Sequence, residues 1–184
     1  MKIVVISGTN RSNACTRKVA GAILRRYEAV EGVDATLLDL AKLPMALLSP
    51  EAYSSKPDAY APFAEAVLAA DGLHIVTPEY NGGMPGALKL FIDHLPFPQS
   101  FERRPVCFTG VSAGRWGALR PVEQLQGVFG YRNAYQLPDR VFIPGVSKAV
   151  GDDGWPTQPF MVDLLQGQIT HFVDFCRVLK PLRS

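Results

Sequence analysis

The N-terminal stretch Ile3-Val4-Val5-Ile6 is an unbroken β-branched run that drops at once into the polar loop Ser7-Gly8-Thr9-Asn10-Arg11-Ser12-Asn13-Ala14-Cys15-Thr16. Strands buried on both faces carry such runs, and strands of that kind belong to parallel sheets. After the loop, Val19, Ala20, Ile23, Leu24 and Tyr27 recur at helical spacing, and Gly32 is placed to cap that helix. A buried strand, a polar loop and an amphipathic helix make the first half of a βαβ unit.

The unit repeats down the chain. Val33–Leu40 reads as a second strand, and Leu43–Asp58, with its prolines and small polar residues, as a long loop. A helix beginning near Pro57 buries Phe63, Val67 and Leu68 and is closed by Asp71-Gly72. Leu73–Thr77 is a third buried strand. Pro78 to Gly86 is turn-rich, and Leu88, Phe91, Ile92 and Leu95 mark the next helix. Pro105–Val111 is a fourth strand, followed by the loop Ser112 to Gly117 and a helix carrying Val122, Leu125, Val128 and Phe129. Arg140–Ile143 is a short fifth strand and Val146–Pro159 a second long loop. The last helix places Met161, Leu164, Leu165, Ile169, Phe172, Val173 and Cys176 on one stripe. Strict alternation with apolar strands predicts an α/β fold, a doubly wound five-stranded parallel sheet in the flavodoxin-like order 2-1-3-4-5 with helices on both faces. The 184 residues are expected to form a single domain over 1–184.

Composition narrows the function. A formal net charge of +2 argues against a nucleic-acid-binding protein. It also argues against an electron carrier, a class that is usually strongly acidic. Cys15, Cys107 and Cys176 are odd in number and widely spaced, so neither a disulfide framework nor a zinc site is expected. His74, His94 and His171 lack metal-ligand spacing. His74 reads as a packed strand residue, and His94 is a candidate for facing a partner subunit. No apolar run approaches 18 residues and no signal peptide is recognisable, so no membrane association and a cytoplasmic location are expected.

In such sheets ligands bind beyond the carboxyl ends of the strands, near the switch point. The first loop opens a helix, where free N–H groups and the helix dipole favour an anion. It lacks the glycine pattern of pyrophosphate-binding loops and offers hydroxyls and one arginine instead, which suits a terminal phosphate monoester. The second loop, Thr77-Pro78-Glu79-Tyr80-Asn81-Gly82-Gly83-Met84-Pro85-Gly86, has a backbone path constrained by prolines and glycines. It is suited to reading the polar edge of a flat heterocycle, with Tyr80 available for a ring face. In the third, Gly110-Val111-Ser112-Ala113-Gly114-Arg115-Trp116-Gly117, small residues admit a planar ligand, and Trp116 is placed either to cover it or to pack under the next helix.

Together these loops resemble the NADPH-dependent FMN reductase family, which includes quinone, azo-dye and chromate reductases. The family's first loop reads roughly G-S-x-R-x-x-S-x-[NT]-x-K/R, and this chain has Gly8 to Lys18 there. The signature P-E-Y-N-x-x-x-P-G-x-L-K stands unbroken from Pro78 to Lys89, and S-x-G-x-x-G from Ser112 to Gly117. The resemblance implies FMN as cofactor and NADPH or NADH as electron donor. It also implies two-electron, ping-pong hydride transfer to a small-molecule acceptor such as a quinone, an azo compound, free flavin or a metal oxyanion. Thr9, Arg11 and Thr16 would hold the phosphate, with Ser12 in support. Pro78, Glu79, Tyr80, Asn81 and Gly82 would contact the ring, largely through backbone. Ser112 and Gly114 would flank the ribityl chain or the ring on the other side. No side chain is assigned a catalytic role, because the flavin carries the chemistry. Ala14 stands where the family usually has serine, so a flavin-free binding module of the same fold is the alternative beside a flavodoxin-like carrier. Leu90 and His94 replace the commoner Asn and Trp. A homodimer or homotetramer is implied, with Leu43–Asp58 and Val146–Pro159 as candidate lids or interface arms.

Overall fold

The computed structural model describes residues 1–183. β1 (Lys2–Ser7), β2 (Asp34–Asp39), β3 (Gly72–Pro78), β4 (Pro105–Val111) and β5 (Tyr135–Ile143) form one sheet in the order β2-β1-β3-β4-β5. Every pairing is parallel. Successive residues of a strand face opposite sides, and the core divides accordingly. Ile3 and Val5 belong to one apolar layer, which is covered by α1 (Cys15–Glu28) and α6 (Pro159–Leu179). Val4 and Ile6 belong to the other, covered by α2 (Ala61–Ala69), α3 (Gly86–His94) and α4 (Leu119–Tyr131). β1, β3 and β4 are buried almost throughout, as their unbroken apolar runs require. Among the described residues no helix is long and apolar enough to cross a membrane.

The topology puts the switch point between β1 and β3. From β1 the chain crosses to β2 on one side; from β2 it returns past β1 to β3 on the other. Ser7 pairs with Val76, and Pro78 with Val111, so the three loops leave the sheet side by side.

Several local expectations need correction. α1 ends at Glu28, and Gly32 is not its cap; it turns at φ +75° just before β2, where its carbonyl accepts from the N-terminal amine. β5 begins at Tyr135 rather than Arg140. Pro138 and the charged Asp139 hide it in the sequence, because Leu137, Pro138 and Asp139 bulge opposite Cys107 alone. The long loop after β2 winds through short 3-10 turns and buries Leu47 and Ala52. The loop after β5 contains a one-turn helix, α5 (Val146–Ala149). Leu68 and Leu164 lie on the solvent edge of their helices. His94 faces its own chain: it is buried and stacks on Tyr53 with ring centroids 4.4 Å apart.

One polar chain crosses the α1/α6 layer. Gln168 Nε2 donates to the carbonyls of Phe108 and Asp139, which fixes the amide and leaves Oε1 to accept from the Thr109 hydroxyl at 2.7 Å. Thr109 must then accept from His74 Nε2–H (2.8 Å), and His74 Nδ1 from the Tyr27 hydroxyl (2.8 Å). The direction of every proton follows from the amide at one end. Burial keeps the histidine neutral, lowering its pKa to about 3, and holds the phenol well above its ordinary range.

Candidate functional site

The first loop is held against β3. Gly8 N–H donates to the Val76 carbonyl at 2.9 Å, and Thr9 N–H to Ser7. Thr9, buried, accepts Arg11 N–H on Oγ1 at 3.1 Å. The same oxygen lies 2.6 Å from the Tyr80 hydroxyl. The Arg11 guanidinium stands 5.6 Å from the centre of the Tyr80 ring. Tyr80 thus reaches across the switch point to the first loop, where it contacts two of the predicted phosphate ligands, Thr9 and Arg11. That contact depends on strand order, and spacing alone gave no sign of it.

The start of α1 is open to an anion. Ala14 occupies the N-cap and supplies no side-chain cap, so the N–H groups of Cys15 and Thr16 have no acceptor inside the helix. Asn13 turns at φ +56°, Thr16 is buried in the first turn, and Ser12 is exposed on the loop. The Ser7 hydroxyl is buried at the base of the loop without a hydrogen-bond partner among the described residues. The serine missing at position 14 therefore leaves backbone donors uncovered rather than filling the site.

The second loop is a hairpin turn. Tyr80 and Gly83 exchange both backbone hydrogen bonds at 3.0 Å, with Asn81 at φ +51° and Gly82 at φ +75°. Positive φ at both central residues defines a type I′ turn, and Asn-Gly is its strongest sequence signal. That signal was available at positions 81 and 82. α4 clasps the turn from outside: Arg120 pairs with Glu79 at 3.2 Å, and Gln124 Oε1 accepts Met84 N–H at 2.8 Å. Arg120 and Gln124, one helical turn apart, are supporting residues that the sequence reading missed. Pro78 ends β3 between the first and third loops.

The third loop folds back over its own strand. The Ser112 hydroxyl donates to the Gly114 carbonyl at 2.9 Å, so it is engaged within the loop. Ser112 and Gly114 are further tied to the end of β5, through Ser112 N–H to Ile143 and Gly145 N–H to Gly114. A Cβ at Gly114 would meet nothing within 4 Å, so this corner is open. Trp116 is 57% exposed and does not pack beneath α4.

Residues 1–148 match the family model described as NADPH-dependent FMN reductase. The chain belongs to the NADPH-dependent FMN reductase family. An NADPH azoreductase of Bacillus sp. (strain OY1-2) is 31% identical over 182 residues, covering 99% of this chain and 98% of that protein. A quinone reductase of Escherichia coli (strain K12) is 29% identical, covering 98% and 97% respectively. Among solved structures, the flavoenzyme NAD(P)H:(acceptor) oxidoreductase FerB of Paracoccus denitrificans superposes with a TM-score of 0.80 at 24% identity, covering 96% of this chain and 97% of that one. As a member of the NADPH-dependent FMN reductase family, the chain is an oxidoreductase whose cofactor is FMN and whose electron donor is a reduced nicotinamide dinucleotide. The residues present fit that cofactor. Uncapped helix donors and a buried, unpartnered Ser7 hydroxyl would suit an anionic end, and a fixed backbone turn and an open Gly114 corner a planar one.

Proposed function

We propose that the chain holds FMN across its three switch-point loops and passes two electrons, by ping-pong hydride transfer, from a reduced nicotinamide to a small acceptor of the quinone or azo class. The observation carrying this reading is the join between the first two loops, Thr9 to Tyr80 with Arg11 over the ring. It builds one continuous wall from the uncapped helix start to the Asn81-Gly82 turn.

Thr9, Arg11, Ser12, Thr16 and the first N–H groups of α1 hold the phosphate, where charge-assisted bonds are strongest. Pro78, Glu79, Tyr80, Asn81 and Gly82 place a fixed backbone edge against the ring, with Glu79 set by Arg120. Ser112 and Gly114 close the far side. When bound, FMN supplies the site that takes up a hydride and gives it on. The protein positions it and surrounds it with backbone dipoles that favour its reduced, anionic form. Acceptor names among relatives support the flat aromatic class: one similar protein is an azoreductase, another a quinone reductase. A homodimer or homotetramer in the cytoplasm completes the proposal.

The test is an anaerobic visible spectrum of the protein with FMN, before and after NADPH. A bound-flavin spectrum that bleaches and returns on adding a quinone supports the proposal; no bound flavin rejects it. In the same assay Arg11→Ala is expected to raise the FMN dissociation constant about ten-fold or more, the effect of one charge-assisted phosphate contact. Undiminished affinity in that variant would remove Arg11 from the phosphate site.

A further inference from the structure

Resting on the oxidoreductase reading above, we infer that the cleft between the turns after β2 and the start of α3 binds an apolar side chain of the acceptor, so that the preferred substrates are quinones carrying an alkyl or isoprenoid chain. The cleft has a volume of 450 Å³, within the roughly 300–1,000 Å³ of small-ligand sites. Leu40, Leu43, Pro44 and Leu48 line it from the turns, and Leu90 from α3. Asn10 is the one polar side chain on its wall, and among the described residues no charged one lines it. The clefts between α3 and α4 and between β5 and α6 carry charges of both signs. An uncharged lining disfavours anions, because a desolvated charge finds no partner there. Of the acceptor classes open to this chain, a metal oxyanion or the phosphate of free flavin fits it poorly, and a hydrocarbon substituent fits it well.

The cleft is preformed. The Asp39 carboxylate accepts Ala41 N–H at 3.1 Å, which fixes the turn carrying Leu40. Further along, Leu47 is buried in the apolar layer that α3 covers, and Tyr53 stacks on His94 at the end of α3. The segment is thus fastened to the helix that forms the opposite wall. Yet Met45 and Leu48 remain 75% and 62% exposed on the lining. Large apolar side chains left in water beside an uncharged cleft mark a surface that a ligand covers. The position of the cleft selects the acceptor as that ligand. Asn10 follows Thr9 in the first loop, and Gly86 and Ala87, also on the wall, follow Pro85 of the second. Both loops that border the switch point therefore contribute to it. A quinone head group held at those loops turns its substituent into the cleft, and the Asn10 amide can donate to a head-group carbonyl. The chain takes no part in the electron transfer. Its burial adds affinity, about three-fold for each methylene.

The experiment measures kcat/KM, with FMN and NADPH present, for para-benzoquinones bearing a methyl, propyl, pentyl or heptyl chain. A matched series carries oligoether chains of the same lengths. Electronic effects on the ring are nearly constant along each series, so length is the variable. In wild type kcat/KM is expected to rise about two- to four-fold per methylene until the cleft is full, and to stay flat with the ethers. In Leu48→Asn, an exposed position where the fold is safe, and in Leu90→Asn, the pentyl quinone should lose about ten-fold and the methyl quinone less than two-fold. A flat alkyl series, an equal rise with the ethers, or a slope unmoved in both variants would each overturn the inference. So would an equal loss with every quinone accompanied by a change in oligomeric state, which would assign the cleft to a second copy of the chain. Calorimetric binding that strengthens with alkyl length in a protein that reduces none of the quinones would support the cleft and reject the oxidoreductase reading.

Discussion

Gly110→Ala is expected to destabilise the protein by about 3 kcal/mol and to weaken FMN binding with it, since overpacking a rigid site costs roughly this much. A Cβ at position 110 would lie 2.3 Å from the Gly117 carbonyl oxygen, 3.1 Å from Phe142 and 3.2 Å from the Ala118 side chain. The nearest atom is backbone, so no rotamer change relieves the clash. The third loop must lift off β4 instead. It has little freedom to do so, because Ala118 is fully buried at φ +68° and Ser112 and Gly114 are tied to β5. The expected result is a lower denaturation midpoint together with a weaker flavin titration. Gly127→Ala is the control. It lies inside α4, its Cβ would meet nothing within 4 Å, and it should stabilise by about 0.5–1 kcal/mol through helix propensity. Equal stability of Gly110→Ala and wild type would mean that the loop is not clamped as described.

The contrast between Gly110 and Arg140 shows what the sequence carries. β4 was legible because a central strand is apolar on both faces, and Pro105–Val111 came out with the bounds read from its composition. β5 lies at the sheet edge and is half-exposed, so only its apolar end resembled a strand. Its bulge is held at the Asp139 carbonyl by Gln168 on α6, a partner 29 positions away that no local pattern announces. The candidate site divides in the same way. The three loops were legible because strand order brings strand ends together, and their unusual composition marked them. The contacts that join the first two loops and brace the second from α4 were not, because Thr9 to Tyr80 spans 71 positions and Arg120 to Glu79 spans 41. His94 shows the converse. A polar residue at a helix end suggests a surface, yet here aromatic stacking on Tyr53 holds it inside.

The largest expected effect lies in the core. Stability should decline on acidification from about pH 6.5, and His74 should account for much of the loss. In the folded protein its pKa is lowered to about 3, because burial penalises the charged ring; in the unfolded chain it returns to 6.5. Above pH 6.5 both states hold the ring neutral and the fold is unaffected. Between the two values only the unfolded chain takes up the proton, so each pH unit costs about 1.4 kcal/mol of stability. At pH 4.5 the loss from this one group is on the order of 2–3 kcal/mol, and it levels off near pH 3 at about 4–5 kcal/mol. Protonation would also break the chain, since the imidazolium cannot accept the Tyr27 hydroxyl at Nδ1. The decisive comparison is with His74→Gln, whose amide can accept from Tyr27 and donate to Thr109 without titrating in this range. Urea unfolding at pH 7 and pH 4.5 should show wild type losing roughly 2–3 kcal/mol more than the variant. Parallel losses in the two proteins would mean that the imidazole titrates normally in the fold, and the directed chain from Tyr27 to Gln168 would have to be redrawn.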